Sequence, residues 1–325
     1  MKRRSFIKAA AIAAPALSLF PADLSSIVRE INLQGKMEKR SLGRTGEMLS
    51  VIGFGGIIVR DVTSAEASDY VRMAIEAGVN HFDVAPSYGN AEVMLGPALE
   101  PYRKNVFLSC KTQKRTKDES RKELEQSLKN LRTDHFDLYQ HHSVTTMSEV
   151  NTILGPNGAL ETFVEAKKQG LIRFLGMSVH SAEAGIALMN AYDFDTIMFP
   201  LNIASWNAGN FGPQILDLAH KKGMGIICLK SMAKGPWPQG ADRSRYRKCW
   251  YEPFTTPEDI KTGLRFALSH PITDLMTPGE GELFKIALSL RDQLTPLTAA
   301  EIEAIKIKGM KMEPLFRYPS EQAGK

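Results

Sequence analysis

The sequence predicts a single (β/α)8 (TIM) barrel behind an N-terminal export segment, and three observations carry that prediction. From residue 40 to residue 308, short apolar runs alternate with longer stretches of helical period, eight strands in all. The runs are near-continuous apolar segments, as strands buried on both faces of a parallel sheet must be. No GxGxxG opens the first helix. The glycines of GFGGII, 53–58, lack that spacing, so a doubly wound open sheet takes second place. The 325 residues are 43% hydrophobic and 24% charged, enough apolar material for one large core. No short repeat or low-complexity linker divides them, so 37–325 reads as one domain.

The elements follow in order. Residues 51–56 form the first strand. In TSAEASDYVRMAIEAG, Thr63 and Glu66 make a capping box, Tyr70, Ala74 and Ala77 line one face, and Gly78 ends the helix. HFDVA, 81–85, is the second strand, followed by a short helix at 92–99. The third strand is 106–111. Thr116 with Glu119 opens a helix that carries Leu124, Leu128 and Leu131 on one stripe. The fourth strand is 136–142, with a helix at 159–169. Strands five to seven are 174–179, 196–201 and 225–230, separated by helices at 182–192 and 213–222. Thr256, Pro257 and Asp259 start a helix with proline at its favoured first position. The eighth strand, 275–277, is short, and helices at 283–290 and 299–308 close the chain.

Residues 1–36 have a different character. Arg3 and Arg4, followed by Phe6, Ile7 and Lys8, resemble the twin-arginine export signal. That resemblance implies the twin-arginine export machinery as a partner and the periplasm as destination. A basic amphipathic tail on a cytoplasmic protein is the alternative. The apolar run from Ala9 to Phe20 is too short to span a bilayer, so no stable membrane span is expected. Net charge is +5, several of the positives lie in the first 40 residues, and nothing in the balance points to nucleic acid. Cys110, Cys228 and Cys249 show no CxxC and no metal spacing, which predicts buried free thiols and no metal.

In such a barrel, functional groups collect at the C-terminal ends of the strands and in the loops after them. Asp83, Tyr88, Lys111 and His142 fall there, on three consecutive strands. A carboxylate inside an apolar strand is tolerable if it is paired with a buried cation. Tyrosine titrates near ~10, and an ammonium beside Tyr88 would favour the phenolate and lower that value. His141 and His142 are neighbours, and residue type alone does not choose between them.

From about residue 38 to 300 the chain resembles the aldo-keto reductases. The likeness lies in RSLGRTGEMLSVIGFGG (40–56), GVNHFDVAPSYGNAEVMLGPAL (78–99), VFLSCKT (106–112), DLYQHH (137–142), GALETFVEAKKQGLIRFLGMS (158–178) and LRFALSHP (264–271). It implies a (β/α)8 barrel that moves hydride between a nicotinamide cofactor and a carbonyl or alcohol substrate. It also implies Tyr88 as general acid, assisted by Lys111, Asp83 and His142. The last residue of D-L-Y-x-x-H is the catalytic one in the family, which selects His142 over His141. Cofactor contacts are implied at Ser178, Met198, Leu229, Lys230, Gly279 and Glu280. Several of these depart from the family's habit of Ser-Asn after strand five, glutamine on strand six and a stacking tyrosine after strand seven. NADP(H) is the family's expectation, while the acidic PGEGE, 278–282, suits ribose hydroxyls and so NAD(H). The departures leave a nicotinamide-binding redox sensor or partner-binding module with little turnover as the alternative. ADRSRYRKCWYEP, 241–253, reads either as a loop bringing an arginine to an anionic substrate or cofactor pyrophosphate, or as a solvated basic loop anchored by Trp250 and Tyr251. Trp206 and Trp237 would line the substrate mouth or pack beneath their loops.

Overall fold

The computed structural model describes residues 36–320. The export segment expected at 1–36 therefore lies outside the described residues, apart from Lys36.

Eight parallel strands close into a barrel. They are β1 (Ile52–Gly55), β2 (His81–Asp83), β3 (Phe107–Thr112), β4 (Phe136–Val144), β5 (Ile172–Val179), β6 (Thr196–Pro200), β7 (Gly225–Leu229) and β8 (Asp274–Met276). Each pairs with the next, and β8 closes the ring against β1 through Leu275↔Ile52 and Met276↔Gly53. All eight strands stand where the apolar runs placed them.

Period-two alternation builds the interior in layers. The lower end is plugged by an antiparallel hairpin, Lys39–Ser41 with Met48–Ser50. It delivers Leu42 and Leu49 into a floor shared with Phe107, Leu138, Met198, Ile227 and Met276. Gly43 makes the plug possible. It has φ +51°, and a Cβ there would stand 2.3 Å from the Gly225 nitrogen. Above the floor, buried His81 places Nδ1 2.5 Å from Asp274 Oδ2 and Nε2 2.6 Å from Ser109 Oγ. One further layer up, Asp83, Lys111 and Gln140 face one another from β2, β3 and β4.

The outer helices follow their caps. The Thr63–Glu66 box is formed, and similar boxes at Thr146–Glu149 and Thr298–Glu301 start helices Met147–Leu154 and Ala299–Gly309. Thr116 opens helix Lys117–Asn130 as expected, without such a box. The hydroxyl donates to Glu119 Oε2 at 2.6 Å and caps no backbone N–H. The Lys117 N–H bonds to Asn157 O instead, because Thr116 bridges Gly158. Helices Met147–Leu154 and Ile203–Asn207, and the ribbon Ala233–Gly235 with Glu252–Pro253, are elements that the sequence reading did not assign. The three cysteines are free and buried. Among the described residues no His, Cys, Asp and Glu cluster could hold a metal, and no helix is long and apolar enough to cross a membrane.

Candidate active site

A cavity of about 250 Å³ opens at the C-terminal end of the barrel. Asp83, Tyr88, Lys111 and His142 all line it. The first and third come from strand ends whose inward parity was set by the layers below. Lys111 donates to Asp83 Oδ2, both side chains are buried, and Gln140 Nε2 donates to Asp83 Oδ1 at 3.2 Å. Burial alone would disfavour the ammonium. The Asp83 carboxylate outweighs that cost, so the lysine's pKa is raised and Lys111 is a fixed cation.

Tyr88 lies in the loop after β2. Its ring is 5.5 Å from Lys111 Nζ and sits edge-on to His142, centroids 5.7 Å apart. Its pKa is raised, not lowered as the sequence suggested. Burial favours the neutral phenol, and Asp83 offsets part of the pull from Lys111. The hydroxyl therefore carries its proton at neutral pH.

β4 decides between the two histidines. Gln140 points inward to Asp83, so alternation sends His141 outward and His142 back to the cavity. His141 stacks on Phe163 with centroids 4.0 Å apart, and neither ring nitrogen has a hydrogen-bond partner among the described residues. Burial takes its pKa down to about 3. His142 is held neutral by burial and by the charges of Lys111, Lys230 and Arg115. Ser87 Oγ lies 3.3 Å from His142 Nδ1. With the serine donating, the imidazole proton sits on Nε2. After His141 the β4–β5 register shifts, and Ser143 takes φ +55°, so His142 and Ser143 both reach the cavity wall. A bulge beside a site re-aims side chains in this way.

The opposite wall is built by β5, β7 and β8. Ser178, Leu229, Lys230 and Gly279 line the cavity. The buried Ser178 hydroxyl has no partner among the described residues. Gly279 holds the loop close: a Cβ there would stand 2.5 Å from Ile57 Cγ2. Met198 does not reach the cavity, because it points into the apolar barrel floor. Glu280 does not line it either. Its carboxylate accepts from the Lys248 N–H at 2.6 Å.

Lys230, at φ +60°, donates to His180 Nε2 at 2.8 Å. His180 Nδ1 lies 2.8 Å from Ser143 Oγ. Burial, then Lys230 and His142, hold His180 neutral. Phe316 from the C-terminal tail stacks on His180 at 5.2 Å. Neither the bulge nor this array was readable from local pattern, although the parity of β4 already implied Gln140.

The 241–253 segment lies over the site as one reading expected, but it brings no arginine to the cavity. Lys248, Cys249, Trp250 and Tyr251 form one side of the cavity. Arg245 is turned away, with Nη2 3.0 Å from Glu282 Oε2. Trp237 donates to Cys249 O at 3.0 Å, supporting that wall from behind, and Trp206 packs on His270, away from the mouth.

Comparison with known proteins agrees with this fold. Residues 51–259 match the model of the aldo/keto reductase family. L-galactose dehydrogenase of Arabidopsis thaliana is 28% identical over 218 residues, 62% of this chain and 67% of that protein. Aldo-keto reductase family 1 member C2 of Homo sapiens is 29% identical over 155 residues, 41% of this chain and 48% of that protein. The chain thus spans about half to two thirds of the curated relatives it matches. Among solved structures, the holo form of an aldo-keto reductase from Bacillus halodurans superimposes with TM-score 0.67 at 22% identity, over 84% of this chain and 96% of that one, a likeness of fold.

Proposed function

We propose, from the premise that this chain belongs to the aldo/keto reductase family, that it interconverts an aldehyde or ketone with its alcohol, with Tyr88 as the proton donor to the carbonyl oxygen. The family's general activity is NAD(P)-dependent oxidoreduction of carbonyls. The observation that carries the finer reading is the convergence of Asp83, Lys111, Tyr88 and His142 on one small cavity. A redox sensor or partner-binding module would not require that set.

The cavity suits a nicotinamide cofactor. The unpartnered Ser178 hydroxyl can serve a carboxamide, Leu229 gives an apolar wall, and Gly279 leaves room for the loop to approach. When bound, the cofactor supplies the hydride. The chain's own residues handle the rest. His142, neutral and protonated on Nε2, donates a hydrogen bond to the substrate oxygen and fixes its position. Tyr88 gives its proton as negative charge develops there. Lys111 stabilises the phenolate that remains, and Asp83 with Gln140 holds Lys111 in place. Family habit favours NADP(H). In the acidic loop 278–282, Glu282 is paired with Arg245, which leaves Glu280 to disfavour a 2′-phosphate and so to favour NAD(H).

Fluorescence titration of the purified protein with NADPH and with NADH tests this reading. Saturable binding of either supports it, and the preferred one gives the meaning of the acidic loop. A folded protein that binds neither overturns it. We propose further that residues 1–36 direct export to the periplasm through the twin-arginine machinery, on the strength of Arg3 and Arg4. Replacing both with lysine should retain the protein in the cytoplasm on fractionation; export undiminished by the change would contradict this.

A further inference from the structure

Beyond Lys111, the cavity wall carries two cations that the proposed chemistry does not use, Lys230 and Lys248. Lys111 is matched by Asp83. Lys248 donates to Ile58 O at 2.8 Å, and its backbone N–H meets Glu280. Lys230 has no ion-pair partner among the described residues. Its ammonium contacts only neutral groups: His180 Nε2 at 2.8 Å, the Trp250 ring at 5.5 Å and the Phe316 ring at 5.6 Å. Among the described residues the one carboxylate lining the cavity is Asp83, and it is committed to Lys111.

The arrangement is built rather than incidental. Lys230 has a left-handed backbone, unfavourable for a residue with a Cβ. His180 is fixed at its other nitrogen by Ser143, which is also left-handed. The tail that brings Phe316 is itself anchored, with the Ser320 N–H donating to Glu183 Oε1 at 2.7 Å and the Tyr318 N–H to Gly209 O at 2.8 Å. Four separate parts of the chain thus place one ammonium, without a counter-charge, in the same small cavity as Tyr88 and His142. A partly buried cation without a counter-charge carries a desolvation cost, and an anion arriving beside it relieves that cost.

We propose that Lys230 is the specificity residue of this site, and that the substrate is an oxo acid whose carboxylate binds the Lys230 ammonium while its carbonyl oxygen lies against Tyr88 and His142. The proposal rests on the reductase reading. The same anionic-oxygen chemistry could be offered by the pyrophosphate of the cofactor, and the test separates the two sources. Burial and the charge of Lys111 take Lys230 down to about 7, so the amine is poised to be drawn fully into its charged form by an anion.

The probe pair is benzoylformate and its methyl ester, which share the ketone and differ in charge. Calorimetric titration of the full chain, with NADPH or NADH present, should show the acid binding at least tenfold more tightly than the ester. Lys230→Met should abolish that preference, and Lys230→Arg should keep most of it. The cofactor dissociation constants of all three proteins are measured alongside. Equal affinity for acid and ester in the unmodified protein overturns the proposal. So does a Lys230→Met protein that keeps the preference. A Lys230→Met protein whose main loss is in cofactor affinity assigns the ammonium to the pyrophosphate and also overturns it. Failure of the reductase reading has a different signature, no cofactor binding by the unmodified protein.

Discussion

Two lysines face the same cavity from opposite walls, and their surroundings are opposites. Lys111, at the end of β3, is bonded to a buried carboxylate and its pKa is raised. Lys230, after β7, meets an imidazole and two aromatic rings, and its pKa falls to about 7. One wall is a finished ion pair, whose charge is constant and whose work is to position and polarise. The other is unfinished, and its charge depends on what comes to it. Lys111 is fully buried and Lys230 partly so; the presence or absence of a carboxylate on the neighbouring strand decides which lysine is structural cation and which is receptor.

The largest expected effect short of removing the phenol comes from breaking the finished pair. Asp83→Asn leaves the Lys111 ammonium buried without a counter-charge, a loss of about 3–5 kcal/mol. Thermal unfolding should show a drop of roughly 10 °C, and turnover should fall with it. A variant with unchanged melting temperature and rate would show that the pair does not act as described. Next comes the contrast of neighbours on β4. His142→Ala should lower kcat by about 10²-fold, whereas His141→Leu should leave it unchanged, because that ring stacks on Phe163 outside the barrel. Equal losses from both would contradict the parity of the strand.

Smaller effects distinguish the walls by pH. His141 has a folded pKa of about 3, below the ordinary 6.5. The unfolded chain binds its proton between those values and the folded chain does not, so stability is lost as pH falls below 6.5. His141→Leu should flatten that acid limb of the melting curve against pH. Lys230 behaves likewise on the alkaline side. Its folded pKa of about 7 lies below the ordinary 10.5, so its penalty is full below pH 7 and lifts as pH rises towards 10.5. Lys230→Met should therefore raise the melting temperature more at pH 6 than at pH 10. A difference of the opposite sign would mean that Lys230 has a counter-charge.

The two walls also differ in how much of them was legible in the sequence. Asp83, Lys111 and His142 sit at strand ends, where an apolar run fixes the strand and period two fixes the direction, so position along the chain becomes position in the barrel. The choice of His142 over His141 follows from the same parity once Gln140 is seen to face Asp83. On the other wall, the surroundings of Lys230 come from the β4 bulge, the residue after β5, the 241–253 segment and the tail at Phe316. No local pattern joins those four. Met198 shows the converse: its strand was legible, but its height in the barrel was not, and it lies in the floor. The Tyr88 pKa failed for a related reason. A neighbouring charge can be guessed from sequence, but the burial that outweighs it depends on the whole loop.

The central claim is that the Tyr88 phenol delivers the proton, and single-turnover hydride transfer in Tyr88→Phe, measured with the cofactor's dissociation constant, tests it most directly. The account predicts a loss of roughly 10³-fold in the transfer rate, with cofactor affinity and melting temperature close to those of the unmodified protein. A Tyr88→Phe protein that transfers hydride at the original rate would contradict it.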